Sequence, residues 1–208
     1  FCIGDIYLGK VKKTSPSLNA AFVDVGYEKD AFLHYLDLGQ QYNQLSFFVK
    51  QTISEKTSKW SLDKIKNFPT IPKDGKIDDL IKKKDDVLVQ VSKEPISTKG
   101  PRVISEISLA GRYIVLLPFS NRVSISQKVK SIKEKDRLKS LIKSIVPKNF
   151  GVIVRTVAEG KKVAELDSDL RNLINQWKTI YSKLRNAQPL DKIFGGISKL
   201  SSILRDIL

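Results

Sequence analysis

The chain has 208 residues and a formal net charge of +15, from 37 Lys and Arg against 22 Asp and Glu; such an excess points to a polyanion, nucleic acid first and an anionic membrane face second, or to a lysine-rich background. A hydrophobic share of 41% excludes a disordered chain and suffices for one large or two small domains with a real core. The single cysteine, Cys2, excludes an internal disulfide and a cysteine-based zinc site, and fits a reducing, cytoplasmic compartment.

The chain opens as three short strands. Ile6, Leu8 and Val11 are expected near one face of the first, within Gly4 to Val11. Ala21, Val23 and Val25 alternate along the second and end in Gly26. Asp30 to His34 is the third. Two aromatics, Phe22 and Phe32, lie on neighbouring strands among lysines. A small β-barrel with paired rings and a basic rim is how oligonucleotide-binding folds hold single strands, with bases on rings and phosphates on cations.

Residues 39–84 break this pattern and read as an insertion that extends the barrel surface. Within it Gln40 to Gln44 is polar, Ser54 to Lys59 resembles a turn, and Trp60 to Phe68 is expected as a short helix ended by Pro69 and Pro72. Val87, Val89 and Val91 then alternate along a fourth strand. A loop holds Ser97-Thr98-Lys99-Gly100, and Arg102 to Leu109 is expected as the fifth strand. Five strands interrupted after the third fit an oligonucleotide-binding barrel. From about residue 106 the style changes. Tyr113 to Pro118 is an apolar strand, Val123 to Val129 a partly extended segment, and Lys133 to Val146 a helix with Leu138, Leu141, Ile142 and Ile145 on one face. Gly151 to Thr156 is a buried strand with a polar end. Val163 to Leu184 is the clearest helix, with Leu166, Leu170, Leu173, Ile174, Trp177, Ile180 and Leu184 at helical spacing. This alternation indicates an α/β domain. The tail from Pro189 carries Gly195-Gly196 and then Ile197, Leu200, Ile203, Leu204 and Ile207, an amphipathic piece that needs a surface to bury against. No run is long and apolar enough to cross a bilayer, and Leu109 to Phe119 is too short and too polar. The first residues do not show a signal-peptide pattern. The chain contains no Met and is read as an internal fragment of a longer protein.

Six blocks occurring in order resemble the ribonuclease E/G family of bacterial endoribonucleases. They are Gly4 to Lys10, Pro16 to Gly26, Phe32-Leu33, Lys99-Gly100, Ile107 to Leu116 and Gly151 to Thr156. The resemblance implies an α+β chain in three parts. Residues 1–105 correspond to an S1-like barrel of the oligonucleotide-binding fold, residues 106–188 to a small α/β 5′-sensor-like domain, and residues 189–208 to the truncated start of an RNase H-like region. The family's DNase I-like catalytic domain, its Mg2+ ligands and its means of homo-oligomerisation lie outside this chain. The fragment is therefore expected to bind single-stranded RNA, preferably 5′-monophosphorylated, without cofactor and without cutting. The parent would be a metal-dependent phosphodiester hydrolase of ribosomal RNA maturation and messenger RNA decay. The alternative is a stand-alone S1-type RNA-binding module.

The resemblance also implies site residues. Phe22 and Phe32 match the RNA-facing aromatic pair, although strand phenylalanines by themselves read as core. Lys99 matches a phosphate-contacting lysine beside them, and Lys10 is a further candidate. Arg155 and Thr156 match the 5′-phosphate sensor: an arginine fork takes a phosphate bidentately and a hydroxyl adds a donor. By itself, Arg155 reads first as an ion-pair partner of a carboxylate such as Glu159 or Asp167. Gly111 and Val115 match residues that line the terminal nucleotide. His34 reads as structural, Asp24 and Asp30 as turn or charge-pairing residues, and Lys82-Lys83-Lys84 as a solvated run beside Asp85-Asp86.

Overall fold

The computed structural model describes residues 1–54 and 59–196. Strands β1 (Ile6–Ser15), β2 (Ala20–Asp24) and β3 (Ala31–His34) form an antiparallel meander. After the insertion come β4 (Asp86–Lys93) and β5 (Arg102–Ile104). β5 pairs parallel to β3 and antiparallel to β4, and β4 pairs back onto β1. The order β1-β2-β3-β5-β4-β1 closes a five-stranded barrel with the expected interruption after the third strand.

Mostly small and β-branched side chains fill the barrel: Val11, Ala21, Val23, Ala31, Val87, Val89, Val91 and Val103 are buried in one cluster with Tyr7 and Leu33. Ile6 and Leu8 face the other way. With Leu88 they join a second and larger cluster outside the barrel wall. Ile6, Leu8 and Val11 therefore do not share a face, because strand alternation sends Ile6 and Leu8 to one side and Tyr7 and Val11 to the other.

That outer cluster is built on a second sheet, β6-β7-β9-β8. Its strands are β6 (Leu109–Ala110), β7 (Ile114–Pro118), β8 (Val123–Ile125) and β9 (Phe150–Val154). The expected fifth strand from Arg102 to Leu109 is thus two strands in two sheets. The break between them is held by Ser105 N–H donating to Asp37 O and Ser108 N–H donating to Gln90 Oε1.

The insertion does more than extend a surface. Its first half is helix α1 (Tyr42–Ser54), which places Leu45, Phe48 and Val49 in the outer cluster. Its second half, with helix α2 (Ile77–Leu80), closes the barrel from the other side through Ile71, Ile77 and Ile81. Asn19, held at φ 46°, ties this segment down by accepting from Ile77 N–H and donating to Gly75 O. Trp60 to Phe68 is not a helix but an irregular strap. Its carbonyls are used by side chains instead: Trp177 Nε1 donates to Trp60 O at 2.9 Å and Asn149 Nδ2 to Leu62 O at 2.7 Å.

Helix α3 (Ile132–Ile145) buries Leu138 and Ile142, and helix α4 (Val163–Leu184) buries all seven expected residues. Trp177 is the hub of the outer cluster. It is fully buried, and its ring lies 5.6–6.2 Å from those of Phe48, Phe119 and Phe150. Strand β10 (Lys192–Phe194) then returns to pair with β1. Residues 197–208, which hold most of the amphipathic tail, lie outside the described residues, as do residues 55–58.

The return of β10 is clamped by Asp5. This buried carboxylate accepts from Lys192 Nζ at 2.7 Å, Gly196 N–H at 2.8 Å and Cys2 N–H at 3.0 Å. Burial alone would raise its pKa, but Lys192 and the two amides outweigh burial and leave it below the ordinary value. The neighbouring Tyr7 hydroxyl is pushed up to about 12, first by burial and then by the Asp5 charge.

Two outcomes are expected. Trp177→Ala should cost about 3–5 kcal/mol in urea unfolding, the usual penalty for emptying a buried aromatic site. Asp5 has a lowered folded pKa, so its stabilisation is complete above the ordinary carboxylate pKa of about 4 and is lost as pH falls through the native value. Asp5→Asn should therefore destabilise by about 1–3 kcal/mol at pH 7, and the gap to wild type should close in melts taken below pH 4.

Candidate nucleic-acid interface

Phe22 and Phe32 are not core residues. Ala21, Val23, Ala31 and Leu33 take the inward positions of β2 and β3, so the two rings alternate outward and are half-buried. They are directly paired across the strands, with centroids 5.8 Å apart in an edge-on arrangement. The register extends this pair into a transverse row: Lys13 opposes Phe22, Phe22 opposes Phe32, and Phe32 opposes Arg102. Lys13 Nζ stands 4.9 Å from the Phe22 ring centroid. Arg102 is held by Asp37 through Nε at 2.9 Å and Nη2 at 2.8 Å. Two rings flanked by two cations make a surface on which bases can stack and phosphates be neutralised.

A bulge between Val11 and Lys13 creates this row. It turns Lys12 toward Asp24 and Asp30, at 3.0 Å from each, and these carboxylates raise the Lys12 pKa. Asp24 also accepts from Gly26 N–H, so the two aspartates act as turn and charge-pairing residues. Lys10 lies opposite Asp24 and donates to Asp86 at 2.8 Å, away from the Phe22 register position. Lys99 is exposed in a loop closed by its own bridge to Ile96. Gly100 lets that loop press on the β2–β3 turn, since a Cβ there would lie 2.2 Å from Asp30 O. His34 accepts from Leu36 N–H and caps the turn at Tyr35–Asp37, with its ring 6.4 Å from Phe32.

The second candidate region lies at the end of β9. Strands β8 and β9 run parallel, and Ser126 N–H donates to Val154 O where both end. Thr156 and Ser126 share a hydroxyl–hydroxyl hydrogen bond of 3.0 Å. Arg155 N–H donates to Tyr113 O, and its Nη1 donates to Gly111 O at 3.0 Å and Arg112 O at 3.2 Å. Asp167, one of the two ion-pair partners suggested for Arg155, pairs with Arg171 at 2.8 Å. Val115 sits between Ala110 and Ile153 in register, and Ile153 is 39% exposed. Arg155, Thr156, Gly111 and Val115 therefore come together on one sheet end, beside an apolar bed. Sequence reading missed Ser126, Lys13 and Arg102. A partly extended segment from Val123 to Val129 was expected, but its parallel pairing with β9 was not.

The loop after Thr156 is braced by α3. Ser131 caps α3 and Glu134 sits in its first turn. Glu134 accepts from Gly160 N–H at 2.9 Å and from Nε and Nη2 of Arg137, whose Nη2 also donates to Lys161 O. Arg137 first and the Gly160 amide second hold the Glu134 pKa down at about 2. The arrangement can take up a phosphate and a base through preorganised donors and an apolar floor. Among the described residues no group of three or more His, Cys, Asp and Glu could hold a metal ion. Among the same residues no helix is long and apolar enough to cross a membrane.

Fold and site together define a protein with a closed oligonucleotide-binding-type barrel joined to an α/β layer. The sequence model of the Ribonuclease E/G family matches residues 108–208. Ribonuclease G of Escherichia coli (strain K12) is 33% identical over 212 residues, which is 98% of this chain and 38% of that protein. Ribonuclease E of Nostoc sp. (strain PCC 7120 / SAG 25.82 / UTEX 2576) is 35% identical over 206 residues, 99% of this chain and 26% of that protein. Ribonuclease E of Synechocystis sp. (strain ATCC 27184 / PCC 6803 / Kazusa) is 36% identical over 179 residues, 86% of this chain and 23% of its own length. The chain belongs to the ribonuclease E/G family, and spans well under half the length of these relatives.

Removing the Arg137 fork should release Glu134. In Arg137→Ala the Glu134 pKa should rise from about 2 toward the ordinary carboxylate range while staying below it, because Gly160 still donates. A pH titration of the Glu134 side-chain carbon by NMR reads this directly.

Proposed function

We propose that this chain is the RNA-engaging part of a ribonuclease E/G-type endoribonuclease, gripping single-stranded RNA at two places. The barrel row Lys13–Phe22–Phe32–Arg102 stacks bases and neutralises phosphates, with Lys99 and Lys10 as outlying cations. The β9 end receives a 5′-monophosphate on Arg155 and Thr156, with the terminal nucleotide over Gly111, Val115 and Ile153. The observation that carries this reading is the placement of the Arg155 fork and Thr156 hydroxyl at the end of a buried strand, beside that apolar floor. Terminal phosphate supplies the dianion the fork suits, and internal phosphodiesters supply only single charges. The net charge of +15 favours association with any RNA and makes it salt-dependent.

In this proposal the parent hydrolyses RNA phosphodiester bonds in the cytoplasm, in ribosomal RNA maturation and messenger RNA decay. The cutting chemistry, its Mg2+ and self-association belong to parts of the parent other than this chain. Mg2+ when bound supplies a Lewis acid and an activated water; the residues described here bind and orient the RNA. The stand-alone RNA-binding module is the less favoured reading, since the relatives share this sequence as a minor part of longer ribonucleases.

Fluorescence anisotropy at fixed salt, with one short single-stranded RNA carrying either a 5′-monophosphate or a 5′-hydroxyl, tests the reading. Wild type should bind the monophosphate more tightly. Arg155→Ala should bring the two ends to equal affinity with general affinity nearly intact. Phe22→Ala should weaken both ends alike by about 1–3 kcal/mol, the worth of one stacked base. If both variants weaken every RNA equally, the two-site assignment is wrong.

A further inference from the structure

We infer that Asp169 is a positioning residue for 5′-end recognition, acting on Arg155 through the Gly111 turn; the inference rests on the sensing role proposed above. The β6–β7 hairpin turns at Gly111, whose N–H donates to Ile114 O. Three successive amides of that turn converge on one carboxylate of α4. Asp169 Oδ1 accepts from Arg112 N–H at 3.1 Å, and Oδ2 accepts from Tyr113 N–H at 2.8 Å and Ile114 N–H at 3.1 Å.

The opposite polarity of the same turn faces Arg155. The carbonyls of Gly111 and Arg112 both accept from Arg155 Nη1, and Tyr113 O accepts from Arg155 N–H. Asp169 and Arg155 therefore grip one short turn by its amides and its carbonyls. The carboxylate polarises the peptide groups so that their carbonyls become better acceptors for the guanidinium. It also anchors the turn to α4, whose neighbouring Leu166, Leu170 and Leu173 are fixed in the core.

Gly111 has a specific part in this. Its φ is not in the left-handed region, so conformational freedom is not its purpose. A Cβ at this position would lie 2.6 Å from both oxygens of Asp169. Gly111 is thus required by the approach of the carboxylate, apart from any contact with a nucleotide. With Nη1 held on the two carbonyls, the guanidinium is oriented rather than free to rotate, which is what selection of a terminal phosphate over an internal one needs.

The test uses the 208-residue chain, wild type and Asp169→Asn, which keeps the shape of Asp169 and removes its charge. Anisotropy compares 5′-monophosphate with 5′-hydroxyl RNA, and NMR follows amide exchange at Arg112 to Ile114 and the Arg155 Nε–Hε signal. Asp169→Asn is expected to speed exchange at those amides, shift the Arg155 signal and cut the monophosphate preference by about tenfold or to parity, the effect of misplacing one charge-assisted hydrogen bond. Affinity for 5′-hydroxyl RNA should be unchanged. In an Arg155→Ala background, Asp169→Asn should have no further effect on the preference. Gly111→Ala, which presses on the carboxylate from the turn side, should reproduce the exchange and Arg155 shifts.

A perturbed turn with the preference retained would overturn the positioning role and leave Asp169 a purely structural clamp. Unprotected amides at Arg112 to Ile114 in wild type would overturn the grip itself, whether or not any variant folds. A wild-type chain with the turn protected but no preference for the monophosphate would instead overturn the sensing proposal, and the positioning role with it.

Discussion

The structure depends on one wall that is dry on both sides. The first half of β1 and the middle of β4 carry buried residues at every position, Ile6 to Gly9 and Val87 to Val91. Their inner side chains close the barrel, and their outer ones, Ile6, Leu8 and Leu88, floor the cluster centred on Trp177. A strand sealed on both faces cannot shift register without moving one apolar set out of its core. The barrel and the α/β layer are thereby locked to a common frame, and the insertion reinforces it from both sides, with α1 in one core and Ile71, Ile77 and Ile81 in the other.

This frame explains why Lys13, Phe22, Phe32, Arg102 and Val115 sit on strands, and Arg155 and Thr156 directly past the end of one. Strand alternation gives the inward positions of β2 and β3 to Ala21, Val23, Ala31 and Leu33, so the rings of Phe22 and Phe32 are displayed outward. The end of β9 is fixed by pairing with β7 and β8 on either side, and the turn beyond it by Glu134 and Arg137. Side chains carried this way lose little further entropy on binding, so more of their interaction energy is available for discrimination.

Charge follows the same logic. Many lysines are exposed and contribute a diffuse attraction, but the arginines near the candidate sites are restrained: Arg102 by Asp37, Arg155 by two carbonyls, Arg137 by Glu134. A planar guanidinium with some donors engaged presents its remaining edge in a set direction, which a flexible ammonium cannot do. Long-range attraction and local recognition are thus divided between the two kinds of cation.

The alternation in β2, β3 and β4 and the helical period of α4 were legible in the sequence because each residue there faces one environment with a constant repeat. So were the outward ring pair and the Arg155-Thr156 strand exit, once the ordered blocks marked the family. Helix α1 was less legible: Leu45, Phe48, Val49 and Thr52 keep a helical period, but Thr52 reads as polar until its hydroxyl is seen bonded to Phe48 O. The Trp60 strap was mistaken for a helix because the partners of its carbonyls lie on Trp177 and Asn149, far along the chain. The sequence by itself determined the alternating strands, the period of α4 and the charge, since these depend on local chemistry and short repeats, and the ordered family blocks marked the candidate ligating residues. Tertiary structure alone decided the bulge that seats Lys13 over Phe22, the division of the apolar residues between two cores, and the junction of Gly111, Arg155 and Asp169, because each is a contact between segments whose separation along the chain carries no local signal.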